Sequence, residues 1–131
     1  NEEAIVSYTE AIASNKTDPN DYYDRGYVYH AIKDSAKSLA DFDEAVRLAP
    51  QVASYHGGRG DALNQSKSYE QAIAAFTTAL SLDDNFIGAW IQRAYSYTQK
   101  LDLDRALQDL DKAVSLNTEG YDAIVERANV R

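Results

Sequence analysis

The sequence contains no cysteine and no methionine, and only two prolines and six glycines in 131 residues. Without cysteine there is no disulfide scaffold, no thiolate metal cluster and no cysteine nucleophile, although this absence assigns no compartment. The missing initiator Met predicts a processed or excised segment of a longer protein. No run approaches the roughly 18 consecutive apolar residues of a membrane span. The start, Asn1-Glu2-Glu3-Ala4-Ile5, lacks the basic region and apolar run of a signal peptide, so a cytoplasmic setting is favoured. Positive charge is scarce: 13 Lys plus Arg against 21 Asp plus Glu give a net charge of −8. That balance repels phosphate backbones and anionic headgroups, and argues against nucleic-acid and membrane partners.

What is present is enough to fold. Hydrophobic residues make up 44% and charged residues 26%, too apolar for a disordered chain. At roughly 100 to 200 residues per domain, the length allows one domain or one short array of repeats.

The sequence matches itself without gaps at an offset of 34 residues. Arg25-Gly26, Arg59-Gly60, Arg93-Ala94 and Arg127-Ala128 share a phase, with Tyr22, His56, Trp90 and Ile124 three residues before each Arg. Ala4, Ser38, Ala72 and Ala106 form a small column; Tyr8, Phe42, Phe76 and Leu110 a large one; Ala11, Ala45, Ala79 and Ala113 another small one. Within a unit, Ala72, Ile73, Phe76, Ala79 and Leu80 recur at helical spacing, and strand-like alternation is absent. Breaks at 17–20, 49–51, 83–85 and 117–120, with shorter ones near Lys33, Lys67 and Leu101, divide each unit into two helices of roughly 12 to 14 residues.

The small columns predict how these helices pack. Gly26, Gly60, Ala94 and Ala128 let the partner helix of the same hairpin approach, and Phe42, Phe76 and Leu110 fill the adjacent space. One hairpin cannot bury both apolar faces, so successive hairpins stack into a superhelix. The expected fold is all-α: a right-handed α-solenoid of stacked antiparallel helix hairpins.

These residues carry a resemblance to the tetratricopeptide repeat family, whose pattern is an aromatic, a Leu-Gly pair, a Tyr, then Ala, Phe, Ala and Pro across 34 residues. One unit reads Tyr22, Arg25-Gly26, Tyr29, Ser38, Phe42, Ala45 and Pro50. The next reads His56, Arg59-Gly60, Leu63, Ala72, Phe76 and Ala79, and a third Trp90, Arg93-Ala94, Tyr97, Ala106, Leu110 and Ala113. The expected boundaries are 1–18 for the second helix of a partial unit, 19–52, 53–86 and 87–120 for complete units, and 121–131 for a further first helix. Arg replaces the usual Leu in every unit. Either it pairs with carboxylates, for which Asp41, Asp43, Asp109 and Asp111 are candidates, or it snorkels to solvent over its apolar stem.

The resemblance implies a concave groove lined by the first helix of each hairpin, where an extended peptide or a partner's helix lies. Mapped onto this chain, the partner-binding residues are Tyr23, Asp24, Tyr27, His30, Asp61, Asn64, Gln92, Tyr95 and Gln99, with Gly57, Gly58, Gln65, Ile91 and Thr98 beside them and Glu126 and Asn129 extending the face. Tyr offers contact area at low entropic cost, and Asn and Gln offer paired donors and acceptors to a peptide backbone. The two-carboxylate clamp of co-chaperones in this family is missing, because Tyr23, Tyr27, Gly58, Gly88 and Gln92 occupy its places. With Asp24, Asp61 and Glu126 on that face, a basic or a neutral, apolar segment is the expected ligand. The adjacent glycines at 57 and 58 are expected to soften their helix and to let a ligand backbone come close.

Other motifs dissolve on inspection. His56-Gly57-Gly58-Arg59-Gly60-Asp61 lacks the Lys-Ser/Thr of a phosphate loop, and Arg59-Gly60-Asp61 consists of repeat positions on a helix. His30 and His56 have no second histidine at helical spacing, and the calcium-loop-like start at Asp102 has Leu107 where glycine is required. No catalytic, cofactor-binding or metal-binding residue is assigned. The sequence therefore reads as a non-enzymatic protein-interaction scaffold. The alternatives are a self-assembly module stacking end to end into homo-oligomers, and a non-catalytic regulatory segment of a larger enzyme.

Overall fold

The computed structural model describes residues 2–116, and among them it contains seven α-helices and no strand. They are α1 (Glu2–Ser14), α2 (Pro19–Ala31), α3 (Ser35–Leu48), α4 (Ala53–Gln65), α5 (Tyr69–Leu82), α6 (Ile87–Gln99) and α7 (Leu103–Leu116). The starts of α2, α4 and α6 recur every 34 residues, as do those of α3, α5 and α7. The expectations placed on Ile124, Glu126, Arg127, Ala128 and Asn129 lie outside the described residues.

Each turn within a hairpin fuses the end of one helix to the start of the next. Asp34 N–H donates to Tyr29 O at 2.9 Å, Ser68 N–H to Leu63 O at 2.8 Å and Asp102 N–H to Tyr97 O at 2.9 Å. Lys33, Lys67 and Leu101 bond three residues back to His30, Asn64 and Thr98, which completes a Schellman closure three times. That closure holds Lys33, Lys67 and Leu101 at φ of 65°, 65° and 63°, a left-handed conformation usually given to glycine. In two of the three turns the next residue caps the following helix: Asp34 accepts from Lys37 N–H and Asp102 from Arg105 N–H.

The most extensive contacts join α2 to α3, α4 to α5 and α6 to α7; α1 packs on α2, and α3–α4 and α5–α6 link successive hairpins. The backbones of first helices also approach each other, α2 with α4 and α4 with α6, whereas those of α3 and α5, and of α5 and α7, stay farther apart. The first helices therefore form the inner layer of a curved stack, and the second helices form the outer one.

Phe42, Phe76 and Leu110 are fully buried between the layers, with Ala45, Ala72, Ala79, Ala106 and Ala113 around them. A methyl group on Gly60 would stand 2.6 Å from the Phe76 ring, and one on Gly26 2.9 Å from Phe42 Cε1. This is the close approach that the small column predicts. Gly58 corrects an expectation: a methyl there would lie 2.5 Å from Phe42 Cε1, so its missing side chain admits the protein's own phenyl ring rather than a ligand backbone. Phe42 thus wedges between the first helix of its own hairpin and that of the next.

Two polar columns pin the stack. The bulky residues Tyr22, His56 and Trp90 each reach the carbonyl six residues earlier, at Lys16, Pro50 and Asp84, over 3.3, 2.9 and 2.9 Å. The arginines bridge neighbouring outer helices. Arg25 makes two bonds to Asp41, 2.8 and 2.7 Å, and one to Thr9 at 3.1 Å; Arg93 repeats this with Asp109 and Thr77. Arg59 has Ala75 where the others have Asp, and it pairs at 2.7 Å with Asp43, which stands in the column of Thr9 and Thr77. Carboxylate pairing is thus the outcome at all three described arginines of the repeat column. Asp111 continues the column of Asp43 and Thr77, and its counterpart Arg127 lies outside the described residues.

Candidate partner-binding groove

The inner layer presents two adjoining clefts. One, of about 260 Å³, is lined by His30 of α2, Asp61, Asn64 and Gln65 of α4, and Gln92 and Tyr95 of α6. The other, of about 290 Å³, is more apolar and is walled by Tyr23, Tyr27, Gly57, Phe86 and Gly88. Asp61 and Gln92 border both.

Asp61 is the electrostatic centre of this surface. Tyr27 O–H donates to its Oδ2 at 2.6 Å. Burial pushes the Asp61 carboxyl above its ordinary range, opposed by the Tyr27 hydrogen bond and by nearby His30. Tyr27 is itself driven far up, first by burial and then by the adjacent Asp61 charge, so it remains a neutral donor. Its ring meets Phe42 edge-on at 4.8 Å and Tyr23 at 5.1 Å, and Tyr23 continues to Tyr55 at 5.1 Å. The Tyr55 hydroxyl bonds Asn20, which ties α4 to the start of α2.

Several mapped residues are engaged within the protein. Asn64 is buried: its Oδ1 accepts from Ser96 O–H at 2.6 Å, and its Nδ2 donates to Gln92 O at 3.3 Å. Gln65 Nε2 donates to His30 O at 3.0 Å, and its Oε1 accepts from Ser35 O–H at 2.8 Å. These amides hold α4 in register with α2 and α6 while forming the cleft wall. Tyr95, in contrast, is 43% exposed, and its ring meets that of Tyr69 edge-on at 6.2 Å. His30 Nδ1 is sealed from solvent and has no hydrogen-bond partner among the described residues.

Seven of the nine mapped residues thus line one cleft or the other; Asp24 and Gln99 line neither. Burial and the neighbouring Asp21 and Asp18 raise the Asp24 carboxyl in α2. Sequence reasoning missed Phe86, which forms a wall of the apolar cleft. Its signal was an aromatic residue directly after the turn Asp83-Asp84-Asn85, where polar residues ordinarily cap a helix. Among the described residues, no group of three His, Asp or Glu is placed to hold a metal ion, and no helix is long and apolar enough to cross a membrane.

Comparison with known proteins agrees with this architecture. Human serine/threonine-protein phosphatase 5 is 29% identical over 108 residues, 82% of this chain and 20% of that protein, so the chain spans about a fifth of its relative. MamA from Desulfovibrio magneticus RS-1 superposes with a TM-score of 0.88 at 21% identity, covering 98% of this chain and 73% of that one. The first TPR of Spaghetti (RPAP3), bound to the HSP90 peptide SRMEEVD, gives 0.82 at 15% identity and covers 86% and 89% of the two chains. Family profiles described as Tetratricopeptide repeat match residues 23–89 and 87–119. With the register of its hairpins and this coverage, the chain belongs to the tetratricopeptide repeat family of protein-interaction scaffolds.

Proposed function

We propose that the chain binds an extended peptide or a helical segment of a partner protein in its concave groove, without catalysing a reaction. The carrying observation is the pair of adjoining clefts on the inner layer, one polar and one apolar, joined at Asp61 and Gln92. A groove that alternates side-chain sockets with amide-bearing walls suits a segment whose successive side chains enter different sockets. Repeat boundaries at 19–52, 53–86 and 87–120 give each complete hairpin one stretch of the groove.

The charge of this groove favours a basic or a neutral, apolar segment. The Spaghetti domain is bound to SRMEEVD, a peptide ending in carboxylates. Here Asp61 lines both clefts and the net charge is −8, so such an acidic tail is opposed.

Selection from a displayed random heptapeptide library tests the reading. Tyr95→Ala removes a side chain that the fold scarcely uses, and Gly88→Leu fills the apolar cleft. Selected peptides should lose binding to both variants while far-UV circular dichroism stays unchanged. Peptides that bind both variants as well as the parent would place the site elsewhere.

A further inference from the structure

We propose that the polar cleft is a socket for one cationic side chain, Arg or Lys, of the partner segment, with Asp61 as its counter-ion and the adjoining apolar cleft taking a neighbouring apolar side chain. This rests on the groove reading above and gives it a recognition chemistry.

The argument begins with an unbalanced charge. Every described arginine, and Lys100, is paired with a carboxylate, yet no Lys or Arg pairs with Asp61 among the described residues. Its carboxylate sits in the cleft wall with Tyr27 O–H on Oδ2 as its hydrogen-bond donor. A partly buried carboxylate of this kind is unfavourable for folding, as its raised pKa records, unless something else satisfies it. Groups that burden the fold without a structural partner concentrate at binding sites.

Asp61 Oδ1 accepts no hydrogen bond among the described residues, so part of a charged acceptor that lines the cleft remains unsatisfied. The Asn64 and Gln65 oxygens already accept from Ser96 and Ser35, and their amide nitrogens already donate to Gln92 O and His30 O. Tyr95 at the rim offers an aromatic face, which attracts a cation. A donor-only, positively charged group is the chemistry that answers this set. Guanidinium carries five N–H donors and no acceptor, and ammonium carries three. A carboxylate would meet Asp61 with like charge, and a neutral amide would leave that charge uncompensated.

The probes are N-acetyl-arginine-methylamide and its isosteric neutral counterpart N-acetyl-citrulline-methylamide, titrated into the isotopically labelled protein and followed by NMR. The arginine compound should shift the resonances of Asp61, Gln92 and Tyr95, the citrulline compound at least about tenfold less, and added salt should weaken the effect. Asp61→Asn keeps an acceptor for Tyr27 and should abolish the discrimination. Equal response to both compounds, or discrimination that survives in Asp61→Asn, overturns the proposal. The heptapeptide selection separates this proposal from the groove reading. Peptides that depend on Tyr95 and Gly88 but show no enrichment of Arg or Lys over their enrichment against Asp61→Asn overturn the cation socket and leave the groove standing. Peptides indifferent to Tyr95 and Gly88 overturn the groove itself.

Discussion

Two glycine-to-alanine substitutions on neighbouring first helices should have opposite effects. Both glycines lie in helices, where alanine is favoured by up to about 1 kcal/mol, with less at Gly88 because it stands in the first turn of α6. At Gly88 a methyl group would sit 3.4 Å from Phe86 Cε1, ordinary contact, so Gly88→Ala should gain about 0.5 kcal/mol. At Gly58 it would sit 2.5 Å from Phe42 Cε1. That ring has no exposed surface, and Gly26 also stands close against it, so it has no room to swing away. Overpacking of this kind costs about 1–3 kcal/mol, which outweighs the helix gain and leaves Gly58→Ala destabilised by about 1–2 kcal/mol. Urea unfolding followed by far-UV circular dichroism reads both midpoints, with an unchanged slope required for the comparison. Phe42→Leu in the Gly58→Ala background should recover part of the loss, a coupling of about 1 kcal/mol. If Gly58→Ala raises the midpoint as Gly88→Ala does, Phe42 is not the wedge between hairpins.

Four further outcomes follow from the structure. Asp109→Ala leaves the Arg93 guanidinium, only 15% exposed, without its bidentate partner and should cost about 3 kcal/mol, whereas the double change Arg93→Met with Asp109→Leu should cost less than about 1 kcal/mol; chemical denaturation compares them. Asp43→Ala, at an ion pair that is 35% and 50% exposed, should cost less than about 1 kcal/mol in the same assay. Leu101→Gly relaxes a left-handed residue that is 82% exposed, and after the added freedom of the unfolded chain should gain about 0.5 kcal/mol in thermal unfolding. Asp61→Asn should stabilise the protein at neutral pH. The folded Asp61 binds its proton more tightly than the unfolded chain does, so the parent loses stability as pH rises from the ordinary Asp range through the raised value. The advantage of Asn should therefore shrink as pH falls back through that window; an advantage independent of pH would refute the burial argument.

The helices and their hairpin pairing were legible because the 34-residue period is carried by side-chain volume. Gly26 against Phe42 and Gly60 against Phe76 are steric facts visible as columns of small and large residues. The seven mapped residues that line a cleft do so for a related reason: their phase on the first helix fixes the face they occupy, whatever their chemistry. Local closure was less legible. The turns at Lys33, Lys67 and Leu101 adopt a glycine-like conformation without glycine, and the only sign is that the pattern pauses there.

Charge was harder still, because an ion pair needs two positions and the repeat constrains only their sum. In the outer complete hairpins the carboxylate follows its Arg by 16 residues, at Asp41 and Asp109; in the middle one that place is Ala75, and Asp43 precedes Arg59 by 16. Both positions flank the guanidinium in the stack, one from its own hairpin and one from the preceding one. The array therefore keeps one carboxylate per Arg while exchanging which helix supplies it, at the expense of burial: Asp41 and Asp109 are 7% and 5% exposed, Asp43 is 50%. Moving the carboxylate back by Ala75→Asp together with Asp43→Thr should rebuild the outer arrangement at Arg59, and unfolding should then show that Arg59 has become as costly to remove as Arg93. If Arg59→Ala remains as mild in that background as in the parent, the two columns are not equivalent, and the ion pairs owe their geometry to the aromatic rings at Tyr22, Tyr29, Trp90 and Tyr97, which flank Arg25 and Arg93 at 5.1 to 6.0 Å.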